Sequence, residues 1–203
     1  MPLDSSGIDD INSRSVTKRG LENPTNYDGD VWKFLRSQLE NSTFIAHGNA
    51  KGGGAAPSIL QRPLERRIVK LAVTNLYGCT VVIVTSRTGS WISHFWQNPS
   101  FEDDSGELNQ AVFNKDVLET LDKGCAFVEA DNGYVSGLRC QTGAGGWFTS
   151  EREPEIVIIT PRIFSRKAKL GTRQFPKQVD QIMEALEDIL PYAPEPKVVG
   201  KSI

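Results

Sequence analysis

The stretch that decides the fold is residues 76–96, which read LYGCTVVIVTSRTGSWISHFW. Residues 80–84 form an apolar, mostly β-branched run, residues 87–89 have the composition of a turn, and residues 90–96 can form the returning strand. Because so few residues join the two runs, they predict an antiparallel β-hairpin. The register of this hairpin decides which side chains face each other across the two strands.

The hairpin can bring a thiol and an imidazole together, because Cys79 stands directly before its first strand and His94 lies in its second. Side chains alternate between the two faces of a strand, so an even-numbered loop puts both residues on one face. A loop of residues 85–88 would place them directly opposite each other, with Cβ atoms about 4.5 to 5.5 Å apart. An odd loop or a bulge at Gly89 would separate them. A neighbouring imidazole lowers the pKa of a thiol and protonates a leaving amine, so Cys79 and His94 are predicted to be a catalytic pair.

The two residues before the cysteine are predicted to position it. Gly78 has no Cβ, so the chain can turn tightly into the strand and leave Cys79 at the start of that strand. A backbone N–H at this turn can also point at an oxyanion, and Gly78 and Tyr77 are therefore assigned to oxyanion binding and positioning. His47 is the second histidine of the chain; it is expected in a solvated loop and is the reserve base.

Length and composition favour one globular domain. The chain has 203 residues, of which 38% are hydrophobic, enough to bury well over half of the surface that the unfolded state exposes. Residues 1–28 mix polar and charged residues without an apolar period and are predicted to be a disordered tail. This leaves residues 29–203 as the single domain.

Charge, cysteine content and hydropathy limit the partners and the compartment. A net charge of -2 disfavours nucleic acid and acidic membrane surfaces as partners. The three cysteines, Cys79, Cys125 and Cys140, have no C-x-x-C spacing, which predicts free thiols in a reducing compartment. The polar N-terminus and the lack of an apolar run of about 20 residues predict a soluble, cytoplasmic protein, with delivery to another cell left open.

The rest of the chain mixes helical and strand patterns. Helical apolar spacing predicts helices over residues 30–39, 109–121 and 175–190. Apolar, alternating or β-branched runs predict strands over residues 43–47, 66–75, 125–130 and 155–160. Helices interleaved with strands and a local antiparallel hairpin predict an α+β fold, in which mixed β-sheets form a β-sandwich-like core flanked by helices.

Two glycine-rich segments suggest nucleotide binding, but their residue order does not support it. Residues 48–54 lack the G-x-x-x-x-G-K-[ST] order, and no helix is predicted after residues 143–147. The loops at 48–57 and 137–147 are instead expected to shape access to the site. Two histidines and three scattered cysteines give no zinc-type spacing, so neither a cofactor nor a metal is expected.

A short pattern is formed by Leu76, Gly78 and Cys79, followed by His94 fifteen residues after the cysteine. This pattern resembles the catalytic signature of the cytotoxic necrotizing factor class of glutamine deamidases, to which the bacterial chemoreceptor glutamine deamidases are more distantly similar. The resemblance covers roughly residues 65–97. The family also places its cysteine at the start of one strand and its histidine on the next.

The resemblance implies a cysteine-dependent protein glutamine deamidase that acts through a thioester, with transglutamination when an amine replaces water. It also implies a protein substrate with a target glutamine, and an effector or toxin role. The family's third catalytic element is a backbone carbonyl that orients the imidazole, and residues 43–47 hold the corresponding place in this chain. A basic connector, expected to be solvated, could also dock a target protein; it consists of Arg162, Arg166, Lys167, Lys169 and Arg173.

Two other interpretations use the same residues differently. Tyr77 stands where the family usually has serine, which favours an inactive module of the same fold that binds partners through Trp91, Trp96 and Trp147. A thiol and an imidazole would also serve a cysteine peptidase or an acyltransferase. A panel of amide, ester and peptide substrates separates these reactions.

Overall fold

The computed structural model describes residues 23–40, 42–45, 55–65, 69–74, 76–126, 134–163 and 172–201. The chain divides into two compact units, Met1–Glu40 and Asn41–Ile203. The predicted tail, residues 1–28, lies outside the described residues except for 23–28, where Pro24–Tyr27 forms a 3-10 turn.

The described part of the first unit contains one α-helix, α1, which spans Val31–Leu39. The side chain of Asp30 accepts a hydrogen bond from the backbone N–H of Lys33 at 2.9 Å, which satisfies one of the free amides of the first turn. The prediction of a helix starting after Asp30 is confirmed.

The second unit contains nine described strands. They are β1 (Thr43–Phe44), β2 (Ser58–Pro63), β3 (Leu71–Ala72), β4 (Thr80–Thr85), β5 (Gly89–Phe95), β6 (Gly124–Ala126), β7 (Tyr134–Ser136), β8 (Glu155–Pro161) and β9 (Lys197–Lys201). Five of them form one sheet in the order β2-β5-β4-β8-β9. Only the β8–β9 pair in this sheet is parallel, so the sheet is mixed. Strands β1 and β3 form a parallel pair, and β6 and β7 an antiparallel pair.

Two longer helical segments accompany these strands. The first, α2, begins as Gln110–Phe113, continues as a π-helical segment over Asn114–Glu119 and ends as Thr120–Asp122. The second, α3, spans Pro176–Ile189, with proline in its first turn as its position predicts. The predicted α+β class with a mixed sheet flanked by helices is confirmed.

The large sheet buries both of its faces. One face packs with α2 and α3 in the main core, which includes Val82, Val84, Trp91, Phe95, Phe113, Leu121, Ile158, Ile182 and Leu186. The other face forms a smaller cluster of Ile45, Val81 and Ile92, with Leu60, Leu71, Val73, Leu76, Ile83 and Ile159 packed against it. His94 lies on this second face, because it alternates with the core residue Phe95 along β5.

The predicted hairpin is present as β4 and β5. Its turn is formed by residues 86–89, one residue later in the chain than the loop of residues 85–88 considered above. The ladder closes at the pair Thr85 and Ser90, and the N–H of Ser86 donates to the carbonyl of Gly89 at 2.9 Å. Ser86 Oγ accepts from the N–H of Thr88 and donates to the carbonyl of Trp147 at 2.6 Å. The turn is therefore fixed in part by a residue about sixty positions away.

The other strand predictions are confirmed to different extents. The strand at 155–160 is confirmed as β8. Those at 43–47 and 125–130 are confirmed in part by β1 and β6, while residues 46, 47 and 127–130 lie outside the described part. The strand predicted over 66–75 is reduced to β3, with residues 66–68 and 75 outside the described part. Strands β2, β7 and β9 were not predicted. Among the described residues, no helix is long and apolar enough to cross a membrane.

Candidate functional site

The hairpin register places Cys79 and His94 on one face of the sheet but not directly opposite each other. His94 pairs with Val81, and Thr80 pairs with Phe95. Continuing this register by one pair puts Cys79 beside Trp96, diagonal to His94. The turn spans residues 86–89, and because this number of residues is even, the register puts the two side chains on one face. The loop of residues 85–88, which would have placed Cys79 and His94 directly opposite each other, is not formed. Diagonal neighbours on adjacent strands have Cβ atoms about 7 to 8 Å apart.

The imidazole of His94 is enclosed. His94 is 0% exposed and lies on β5, an interior strand of the sheet between β2 and β4. The ring of Trp96 meets the His94 ring edge-on, with centroids 5.1 Å apart. Trp96 is itself anchored, because its Nε1–H donates to the carbonyl of Ala56 at 2.9 Å. The base of the candidate site therefore has a fixed aromatic wall and little contact with water.

The thiol of Cys79 is held at the start of β4. Cys79 is 2% exposed, and its Sγ–H donates to the carbonyl of Tyr77 at 3.2 Å. A carbonyl oxygen only accepts hydrogen bonds, so this contact belongs to the neutral thiol and is given up when the proton moves to a base. The side chain of Tyr77 is 78% exposed. Tyr77 thus contacts the thiol through its backbone, while its ring marks the surface next to the site.

Gly78 is required at its position for two reasons. Its φ is +69°, in the left-handed region that side-chain-bearing residues rarely adopt. A Cβ at this residue would lie 1.3 Å from Oε1 of Gln97. That carboxamide is held in place, because its Nε2 donates to the Glu102 carboxylate. The positioning role predicted for Gly78 therefore has a concrete geometry: the Gln97 amide fills the space that the missing side chain leaves.

Several other residues singled out in the sequence lie elsewhere. His47, the reserve base, lies outside the described residues, as do Arg166, Lys167 and Lys169 of the basic connector. The two ends of the connector come together in an isolated bridge between Arg162 and Arg173, and Arg173 pairs with Asp180 at 3.2 Å.

The three tryptophans proposed as a partner-binding surface contact other residues of the chain itself. Trp91 is 0% exposed, and its Nε1–H donates to the carbonyl of Ser136. Trp96 contacts His94, and the Trp147 ring occupies the space beside Gly89 that a Cβ there would enter. Trp91 therefore cannot offer a surface to a partner in this fold.

All three cysteines are free thiols, as predicted. Cys140 is exposed, whereas Cys125 is half-buried and donates its Sγ–H to the carbonyl of Pro57 at 3.8 Å. Burial, reinforced by the nearby negative charge of Asp116, raises the pKa of Cys125 to about 11. Among the described residues, no cluster of three or more His, Cys, Asp or Glu side chains could hold a metal ion.

The raised pKa of Cys125 predicts a specific loss of stability in alkali. Between the ordinary thiol pKa of 9.0 and about 11, the unfolded chain releases this proton while the folded chain keeps it. Stability therefore falls as the pH rises through this window, by at most about 1.4 kcal/mol per pH unit. Urea unfolding of Cys125→Ala should show a flatter decline from pH 9 to 11 than the parent. Equal slopes in the two proteins would contradict this assignment.

Sequence reasoning missed one residue at this site, Ser58. It pairs directly with His94 in the β2–β5 ladder and is 0% exposed. No local signal marks it, because β2 contains a serine, a glutamine, an arginine and a terminal proline and does not alternate as a typical strand does. Only the long-range pairing of β2 with β5 brings it to the imidazole.

The candidate site therefore consists of a thiol, an imidazole and a serine hydroxyl on one face of three adjacent strands. No protein-family model, curated protein or solved structure matches the chain. What the site can do has to be judged from these residues and their surroundings.

Proposed function

We propose that this protein is a cysteine-dependent amidohydrolase that converts a glutamine side chain of a target protein to glutamate. One observation carries the proposal: Cys79, directly before β4, and His94, on the adjacent strand β5, are both almost fully buried, and the register of the hairpin, continued by one pair, puts them on one face of the sheet. A nucleophile with a base on the neighbouring strand is the minimum apparatus for acyl transfer.

The reaction begins with transfer of the Cys79 proton to the imidazole of His94, which breaks the hydrogen bond to the Tyr77 carbonyl. The thiolate then attacks the carboxamide carbon, and the C=O electron pair moves onto oxygen to give a tetrahedral oxyanion. Backbone N–H groups at Gly78 and Cys79 are the proposed donors to this oxyanion. The oxyanion collapses, the C–N bond breaks, and the imidazolium protonates the departing ammonia, which leaves a thioester on Cys79.

Water completes the cycle. The imidazole of His94 removes a proton from water as the water oxygen attacks the thioester carbon, and the C–S bond breaks to release glutamate and the thiol. An amine that attacks first would instead give a transglutaminated product. The change from a neutral amide to a carboxylate is small in size and adds one negative charge, which suits the switching of a regulatory protein by an effector or toxin.

The burial of the thiol favours a side-chain amide over a main-chain amide as substrate. Cys79 is 2% exposed, beside the surface residue Tyr77. A glutamine side chain is slender and unbranched and can extend into a narrow opening, whereas a peptide bond brings two flanking residues with it. This separates the proposed deamidase from the alternative of a cysteine peptidase.

The proposal also includes the finer fold prediction of a β-sandwich-like core. The β1–β3 pair supports it, because Ile45, directly after β1, and Leu71 of β3 pack with Val81 and Ile92 on the second face of the large sheet. A second layer on this face would enclose the thiol and imidazole between two sheets.

The test is a substrate panel incubated with the full chain. Glutamine-containing proteins are assayed for ammonia release and for conversion of glutamine to glutamate by mass spectrometry, with and without an added primary amine, beside ester and peptide substrates. Conversion of glutamine without peptide cleavage supports the proposal. Cleavage of peptides or esters alone would move the assignment to a peptidase or an acyltransferase. A panel with no turnover, together with an unreactive Cys79, would favour the inactive module.

A further inference from the structure

The imidazole of His94 has a second polar neighbour, on the side away from β4. In the β2–β5 ladder Ser58 pairs directly with His94, so the two side chains project from the same face. Directly opposed residues have Cβ atoms about 4.5 to 5.5 Å apart. His94 thus has Ser58 directly opposite it on β2 and Val81 directly opposite it on β4, with Cys79 diagonal to it on the β4 side.

The hydroxyl of Ser58 is buried and makes no hydrogen bond to any residue that the structure describes. Ser58 is 0% exposed, and its Oγ has no hydrogen-bond partner among the described residues. Burying a hydroxyl in this way costs free energy, because the group gives up its bonds to water and gains none in return. Ser93 is buried in the same state, so what distinguishes Ser58 is its place directly opposite the His94 imidazole.

We propose that Ser58 is a positioning residue whose Oγ accepts an N–H of the His94 imidazole when that ring takes the proton of Cys79. An imidazolium carries two N–H donors. In this proposal one N–H serves the exchange with the Cys79 sulfur, and Ser58, directly opposite His94 on β2, is placed to accept the other. The Ser58 hydroxyl stabilises the charged ring and fixes its orientation, so that the proton is returned to the leaving ammonia.

Apolar side chains make up much of the rest of this face. The hydrophobic residues clustered there, Ile45, Leu60, Leu71, Val73, Leu76, Ile83 and Ile159, have no side-chain hydrogen-bond acceptor. The role of Ser58 in turnover rests on the proposed deamidase function. Its effect on proton transfer from Cys79 does not, because that effect is measurable without substrate.

Ser93 provides a matched control. It precedes His94 on β5, is 0% exposed, and its Oγ also has no hydrogen-bond partner among the described residues. It projects from the opposite face, because it pairs with Ile59 and Val82 of the main core. Removing its hydroxyl changes the packing beside His94 without touching the imidazole face.

The experiment measures the pH dependence of iodoacetamide alkylation at Cys79 in the full chain, by mass spectrometry of each cysteine peptide. Loss of a hydrogen bond to a charged group predicts alkylation about tenfold slower at pH 7 in Ser58→Ala, with the midpoint of the profile moved to higher pH. Ser93→Ala should follow the parent, and Ser58→Thr, which keeps a hydroxyl, should recover most of the rate. Urea midpoints establish that each variant is folded.

Two outcomes would overturn the proposal. If Ser58→Ala follows the parent profile, the hydroxyl does not assist proton transfer; if Ser93→Ala shifts the profile equally, the effect is one of packing. Should Ser58→Ala fail to fold, Ser58→Thr and Ser58→Cys are compared instead, and equal profiles in these two would reject the hydroxyl's role. A shift in alkylation without turnover of any glutamine substrate would retain Ser58 as a positioning residue and reject the deamidase function.

Discussion

Cys79→Ser is expected to lower the rate of glutamine deamidation by at least about 10³-fold while leaving the fold intact. Serine keeps a donor for the Tyr77 carbonyl, which accepts the thiol hydrogen bond at 3.2 Å, and it is slightly smaller than cysteine. It does not supply a thiolate, and a hydroxyl holds its proton far more strongly than a thiol does. The loss should therefore appear in the rate of amide conversion and not in the urea midpoint.

The other two cysteines provide the controls for this variant. Cys125 is half-buried with its pKa raised to about 11, so almost none of it is thiolate at neutral pH. Cys140 is exposed and lies in the 3-10 segment Leu138–Gln141, not in the hairpin that holds His94. Cys125→Ser and Cys140→Ser should keep deamidase activity within a few-fold of the parent. Activity that survives Cys79→Ser and disappears in either control would place the nucleophile elsewhere.

Gly78→Ala is expected to destabilise the fold by about 2 to 3 kcal/mol and to slow the alkylation of Cys79. The left-handed conformation at φ +69° costs a residue with a Cβ about 1 to 2 kcal/mol. The new Cβ would also lie 1.3 Å from Oε1 of Gln97, so the carboxamide must swing away and lose its hydrogen bond to Glu102, worth about 1 kcal/mol. Urea unfolding measures the first effect and the iodoacetamide rate at Cys79 the second.

Gly106→Ala separates strain from steric conflict. Gly106 has φ +82°, and a Cβ there would meet nothing within 4 Å, so this variant reports the conformational cost alone. The loss in free energy of unfolding that Gly78→Ala shows beyond Gly106→Ala is the cost of the steric conflict with Gln97. Adding Gln97→Ala to the Gly78→Ala variant should remove this extra loss. If Gly78→Ala costs no more than Gly106→Ala and leaves the Cys79 rate unchanged, the close packing of Gln97 against Gly78 does not position the thiol.

The parts of the fold that the sequence predicts are those determined by neighbouring residues. The hairpin, α1, α3 and β8 each have an uninterrupted apolar pattern and local start or stop signals, and each was found at nearly the predicted bounds. Strand β9 has only two valines between its lysines, so its parallel pairing with β8 left no local trace. The order of strands in the sheet depends on contacts between distant segments, which a single sequence does not display.

The same limit applies to the candidate site. The face shared by Cys79 and His94 was predictable, because it depends only on whether the loop is even or odd. The register itself was not, since the turn depends on the hydrogen bond from Ser86 to the Trp147 carbonyl. Ser58 was missed for the related reason that its strand meets β5 only through long-range pairing. The apolar burial around His94 likewise depends on segments far apart in the chain.

The central claim is that His94 activates Cys79, and the most direct test is the pH profile of iodoacetamide alkylation at Cys79 in the parent and in His94→Asn. Cys79 is 2% exposed, so the midpoint of the profile is the informative quantity; the absolute rate also reflects how readily the site opens. Exposed Cys140 serves as the internal reference. The account predicts that Cys79 reaches half of its maximal rate well below about pH 8.5 in the parent and near that value in His94→Asn. A Cys79 profile that follows Cys140 in both proteins would contradict it.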